Sequence, residues 1–110
     1  KVSFAQATAN FDDATASFGT ASANTKILSI TIEPGNQWTG ANSETTLTVG
    51  DDSDQSRLYE IDDLASLDTQ FTEELNFVYA SDTEIKAYVS RGGATVGSAK
   101  ITLQYVGIIQ

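Results

Sequence analysis

No cysteine, no histidine and no methionine occur in this chain of 110 residues, and only one proline does. Without cysteine there is no disulfide framework and no thiolate nucleophile. Without histidine the usual general base, the triads built on it and the commonest transition-metal ligand are missing. Cations are scarce too: six Lys and Arg against fifteen Asp and Glu leave a net charge of -9. That balance repels phosphate backbones and anionic membrane surfaces, so neither nucleic acid nor a membrane is an expected partner. No apolar run approaches the roughly 20 residues needed to span a bilayer, and the amino end lacks the charged-then-apolar pattern of a secretory signal. A chain that starts at Lys1 and holds no Met is expected to be either a processed form or a piece of a longer one.

What the chain does have is strand signal. Its length suits one domain spanning residues 1–110, large enough to bury a modest core. Thr25 to Glu33 alternates, with Leu28, Ile30 and Ile32 expected on one face and Ile27, Ser29, Thr31 and Glu33 on the other. Pro34, Gly35 and Asn36 end it. Thr45 to Val49 is a short strand with Leu47 and Val49 inward, followed by an acidic loop from Gly50 to Ser56. Residues 57–68 read as a strand or a short helical turn, and Phe71 to Tyr79 as a strand. Ile85, Ala87 and Val89 share one face of a further strand, and Ile101, Leu103 and Tyr105 share one face of the next. The glycines between these two runs predict a β-hairpin, with a bulge near Gly97 and Ser98 to bring Ile85 opposite Ile101. Several short strands at this spacing, with no long helical pattern, give the fold class: all-β, an antiparallel β-sandwich of jelly-roll-like or immunoglobulin-like form.

The amino-terminal segment offers two periods. Phe4, Phe11 and Phe18 each open a seven-residue unit rich in Ala, which would align as a heptad stripe on a helix. Thr, Ser, Asn and Gly are poor helix formers and no charge pairs support the outer face, so strands at 2–9 and 14–18 are the better reading. Residues 1–24 then form a first hairpin or an arm whose phenylalanines anchor in a neighbouring subunit, and residues 1–12 are expected to be dispensable for folding. Ile108 and Ile109 are a last core contact or a subunit contact.

Reactive chemistry has few places to reside. From Asp52, the residues Asp54, Ser56, Leu58, Glu60 and Asp63 fall at spacings reminiscent of a twelve-residue calcium loop. Arg57 stands where the sharp turn wants Gly, so a solvated acidic turn around Asp51, Asp52 and Asp54 is the preferred reading. A carboxylate pair such as Asp51 with Asp62 or Glu73 meets the minimal requirement of glycoside hydrolysis, but a domain of this size has little room for the cleft. Trp38, among Gly35, Asn36, Gln37 and Gly40, is either an aromatic sugar platform or, the commoner case, a cap on the end of the core. These residues together point to a protein without catalytic activity, cofactor or metal.

The segments Thr46-Leu-Thr-Val-Gly-Asp-Asp-Ser-Asp-Gln-Ser-Arg-Leu58, Asp62-Asp-Leu64, Tyr79-Ala-Ser-Asp-Thr-Glu-Ile-Lys-Ala87 and Gly92-Gly-Ala-Thr-Val-Gly-Ser-Ala99, in this order, resemble a small β-sandwich that recurs in structural proteins of tailed bacteriophages. With the strand upstream, the resemblance covers roughly residues 15–106. It implies a virion structural protein similar to capsid decoration, or cement, proteins: a homotrimer bound to the major capsid protein on the head surface. The interface candidates are Phe4, Phe11, Phe18, Ile108 and Ile109. The alternative is a carbohydrate- or calcium-binding sandwich module of a tail fibre or adhesin.

Overall fold

The computed structural model describes residues 1–12 and 14–110. Asp13, part of the turn read between the first two strands, lies outside the described residues. Eight strands form: β1 (Ser3–Asn10), β2 (Thr15–Ala21), β3 (Thr25–Pro34), β4 (Thr46–Asp51), β5 (Asp54–Ile61), β6 (Phe71–Tyr79), β7 (Thr83–Ser90) and β8 (Ser98–Val106). A 3-10 turn, Leu64–Ser66, joins β5 to β6.

Pairing follows one rule. The first strand pairs with the last, β2 with β7, β3 with β6 and β4 with β5, all antiparallel. This is one long hairpin of four strand pairs, and rolling it up adds the β3–β8 and β4–β7 contacts. Two four-stranded sheets result, β1-β8-β3-β6 and β2-β7-β4-β5, which is the eight-stranded jelly roll. Both inner faces contribute to one core: Ile27, Ile30, Ile32, Ile101 and Leu103 from the first sheet meet Leu47, Val49 and Ile85 from the second.

The rolled topology corrects the expected terminal hairpin. β7 and β8 are adjacent in sequence but lie in opposite sheets, because segment 91–97 crosses from one to the other. Ile85 and Ile101 therefore belong to facing sheets, and the predicted bulge at Gly97 and Ser98 has no ladder to interrupt. The faces themselves were read correctly: Ile85, Ala87, Ile101 and Leu103 are fully buried and Tyr105 nearly so. The same logic corrects residues 1–24. They form neither a first hairpin nor a free arm: β1 borders one sheet and β2 the other, each held by a strand from the far end of the chain.

In β3 the expected face is half right. The register with both neighbours slips between Ile27 and Ser29: β8 advances one residue there, so Leu28 is an extra residue against β8, whereas β6 advances three, and the irregularity reverses the alternation of β3. Ile27, Ile30 and Ile32 are all fully buried, while Leu28 is only half-buried. The acidic stretch from Gly50 to Ser56 is a tight β4–β5 turn, and both readings of 57–68 hold in sequence, a strand to Ile61 and then the 3-10 turn.

The sandwich is closed at one side by its own tail. Residues beyond β8 turn at Gly107 and run beside β2, where Gln110 N donates to Thr20 O at 3.0 Å and Thr20 N to Gln110 O at 2.7 Å. Gly19, with φ of 110°, permits this approach: a Cβ there would stand 2.7 Å from Gln110 O.

Candidate docking surface

The aromatic and apolar residues singled out in the sequence scatter between core and surface. Phe18 is a core residue, 8% exposed, and is thereby removed from the interface candidates. Phe11 is half-buried under the Arg91 guanidinium, whose carbon lies 5.1 Å from the ring centroid. Ile109 forms a bridge to Ala21 and packs against the core. Phe4 and Ile108 remain outside, 62% and 51% exposed. Trp38 is buried at 2% exposure with Gly97 against its ring, so it caps the core and offers no sugar platform.

Phe4 belongs to a patch that sequence reading missed. On the outer face of the first sheet Val106 of β8 sits opposite Lys26 of β3, and Lys26 opposite Val78 of β6. Val2 extends this row past Ser3, which pairs with Tyr105, and Phe4 pairs with Gln104 in the row above. Val2, Val78 and Val106 are all well exposed. The signal was in the alternation already used: Val78 lies between the inward Phe77 and Tyr79, and Val106 follows the inward Tyr105, so both face water. Apolar residues at outward positions clustered on one face mark a contact surface.

Charge is arranged unevenly around this patch. Arg57 is paired with Asp51, Lys86 with Asp52 and Glu84, and Lys100 with Glu33, and Arg91 donates to Ala94 O at 2.9 Å. No ion pair of Lys1 or Lys26 is found among the described residues, and both adjoin the patch.

The acidic turn at the other sheet is a self-contained clamp. Asp51 is buried and accepts from the amides of Ser53 and Asp54, both at 3.1 Å, and from Arg57 Nε at 2.6 Å. Burial by itself pushes the Asp51 carboxyl up, but the Arg57 hydrogen bond, the Asp54 amide and the guanidinium charge together outweigh it and hold it below the usual range. Asp52 accepts from Tyr88 Oη at 2.7 Å and from Lys86 Nζ at 3.2 Å, and these hydrogen bonds hold its carboxyl low as well. The Tyr88 hydroxyl is pushed up by burial and by Asp52, and the Tyr79 hydroxyl by burial and the Asp51 charge.

These carboxylates are thus occupied by protein partners. Residues 54–61 run as an extended strand with Leu58 in the core, which is not the wrapped path of a calcium loop. Among the described residues no group of three or more acidic side chains is disposed to hold a metal ion. A shallow depression of about 290 Å³ lies beside Tyr88 on the outer face of the second sheet, lined by Thr46, Thr48, Gln55, Glu60 and Ser90. It is open and lined by polar and apolar groups alike. What the molecule presents for recognition is surface: an apolar patch and a bordering strand.

No protein-family model and no curated protein matches the chain. Solved structures do. A chain of the acidic stable capsid structure of Helicobacter pylori bacteriophage KHP30 superposes with a TM-score of 0.75 at 16% identity, covering 94% of this chain and 86% of that one. A chain of the cyanophage Pam1 capsid asymmetric unit superposes with a TM-score of 0.71 at 19% identity, covering 96% of this chain and 84% of that one. At these identities the likeness is one of fold.

Proposed function

We propose that the protein is a structural component of a bacteriophage virion, a head decoration or cement protein that binds the major capsid protein on the outer surface and has no catalytic activity. The observation that carries this reading is that two phage capsid structures contain the same jelly roll along nearly its whole length. The surface supports it. An exposed apolar patch with Lys26 within it and Lys1 beside it suits docking by complementarity, and the remaining acidic surface limits non-specific association. The homotrimer is what the resemblance implies, with Phe4, Phe11, Phe18, Ile108 and Ile109 as interface candidates. With Phe18 in the core and Phe11 under Arg91, the reading offered is of copies held together through Phe4 and the strand that carries it.

The test is co-sedimentation of the purified chain with undecorated capsids of its parent phage, followed by reconstruction of the decorated particle by electron cryomicroscopy. Saturable binding, with density for the jelly roll on the outer shell, is the expected result. Density confined to the tail or neck, or no binding to capsids at all, would overturn the assignment.

A further inference from the structure

Four strands border the two sheets: β1 and β6 in the first, β2 and β5 in the second. A bordering strand exposes a row of backbone donors and acceptors that invites pairing with another chain, and folded proteins blunt it with charge, proline, a bulge or a cover. Three of these four borders are blunted. β6 carries Glu73 and Glu74, and its register with β3 slips. β5 carries Asp54, Arg57 and Glu60, and its register with β4 slips. β2 is uncharged, but it is bulged between Ser17 and Gly19 and covered by the chain's own tail at Thr20 and Ser22.

Among the described residues, β1 shows none of these devices. Ser3–Asn10 contains no charged residue and no proline, and it pairs with β8 at eight consecutive positions without a shift. Its exposed face carries Phe4, Gln6 and Thr8. In a chain of net charge -9, residues 3–9 are a regular, neutral border without a cover among the described residues.

We infer that β1 joins two copies of this chain edge to edge, antiparallel about a two-fold axis, so that the β1-β8-β3-β6 sheet continues into its symmetry mate. Charge selects the occupant. Lys1 precedes β1 and Asp12 follows it, and antiparallel pairing of like with like brings Lys1 of one copy within one residue of the partner's Asp12, twice per dimer. The neutral strand is also where two strongly acidic chains approach with least repulsion. Alternation restricts the register, because outward side chains must meet outward side chains in a continuous sheet: the axis falls at Gln6 or at Ala7, and Gln6 lies opposite the partner's Gln6 in the first case and diagonal to it in the second. The inference goes beyond the capsid reading, and the two can fail separately.

The register supplies the experiment. Gln6 is exposed, so Q6K and Q6E leave the fold intact, which circular dichroism verifies. Each alone sets like charges opposite or diagonal to each other near the axis and raises the dimer Kd about fivefold or more, whereas an equimolar mixture of the two sets opposite charges there and restores the wild-type dimer. Analytical ultracentrifugation of the full chain across a concentration series reads all three. A wild-type protein that stays monomeric, a trimer indifferent to both substitutions, or a dimer that Q6K leaves unchanged would each overturn the inference. Capsid co-sedimentation of Q6K is scored separately: its binding bears on the decoration role and leaves the β1 contact to the ultracentrifuge.

Discussion

The guanidinium of Arg57 holds the carboxylate of Asp51 with two hydrogen bonds, 2.6 Å from Nε to Oδ2 and 3.3 Å from Nη2 to Oδ1. Because Asp51 also accepts from two amides of the β4–β5 turn, this one carboxylate fixes the turn and anchors the strand after it. A carboxyl held low in the folded state stabilises the fold above its unfolded pKa and loses that contribution as pH falls through its folded value. Stability is therefore expected to be level above about pH 4 and to decline below it. Denaturant midpoints measured from pH 7 to pH 2 should show this fall, and Asp51→Asn should both lower the plateau and flatten the fall. Asp52 adds a fall of the same sign, which Tyr88→Phe should reduce by removing the hydrogen bond that holds it. An unchanged pH profile in Asp51→Asn would mean that the clamp does not contribute in solution.

The bulge in β3 separates two adjacent aliphatic residues by their role. Ile27→Ala removes a fully buried side chain and should lower stability by about 2 to 5 kcal/mol, as should Ile101→Ala and Leu103→Ala. Leu28→Ala, at the half-buried extra position, should cost about 1 kcal/mol or less. Urea unfolding of the four variants ranks them, and a Leu28 loss equal to that of Ile27 would place the bulge elsewhere.

Trp38 and Gly97 are in contact so close that a Cβ on Gly97 would overlap the indole ring. Gly97→Ala should therefore displace the indole and lower stability by about 1 to 3 kcal/mol. A red shift of the tryptophan emission, in a protein with a single Trp, reports the displacement directly. Emission identical to the parent would show that the loop absorbs the added methyl elsewhere.

Deletion of residues 1–12 tests the correction made to the amino-terminal segment. The deletion strips β1 from β8 and removes Ala9, which is 1% exposed, from the core. The shortened chain is expected to lose native near-ultraviolet dichroism and to aggregate through the uncovered border of β8. Native spectra with a stability equal to the parent would restore the reading of this segment as a dispensable arm.

Local pattern accounts for much of the architecture. Alternation with a period of two is a property of the backbone, so the inward residues of β4, β7 and β8 could be read from Leu47, Val49, Ile85, Ala87, Ile101 and Leu103 alone. Phe71–Tyr79 was legible for the same reason, and the absence of His and Cys removed whole classes of chemistry before any fold was known. The outward Val78 and Val106 were legible in principle, since the alternation that buries Tyr79 and Tyr105 must expose their neighbours.

Only the tertiary structure decided which strands pair. A glycine-rich connection such as residues 91–97 specifies a turn of the chain but not whether the next strand lies beside the last or across the core from it. That choice was made by the rolling of one long hairpin, in which β8 is claimed by β1 and β3 and β7 by β2 and β4. Phe4, Phe11 and Phe18 occupy equivalent places in a repeated sequence, yet they end exposed, stacked under Arg91 and buried. Burial is set by what lies opposite in space, and nothing within seven residues of each ring encodes it. The unguarded state of β1 is of the same kind: its lack of charge is written in the sequence, but that it stands at a border, while the equally neutral β2 is covered by the tail, follows only from where the roll leaves each strand.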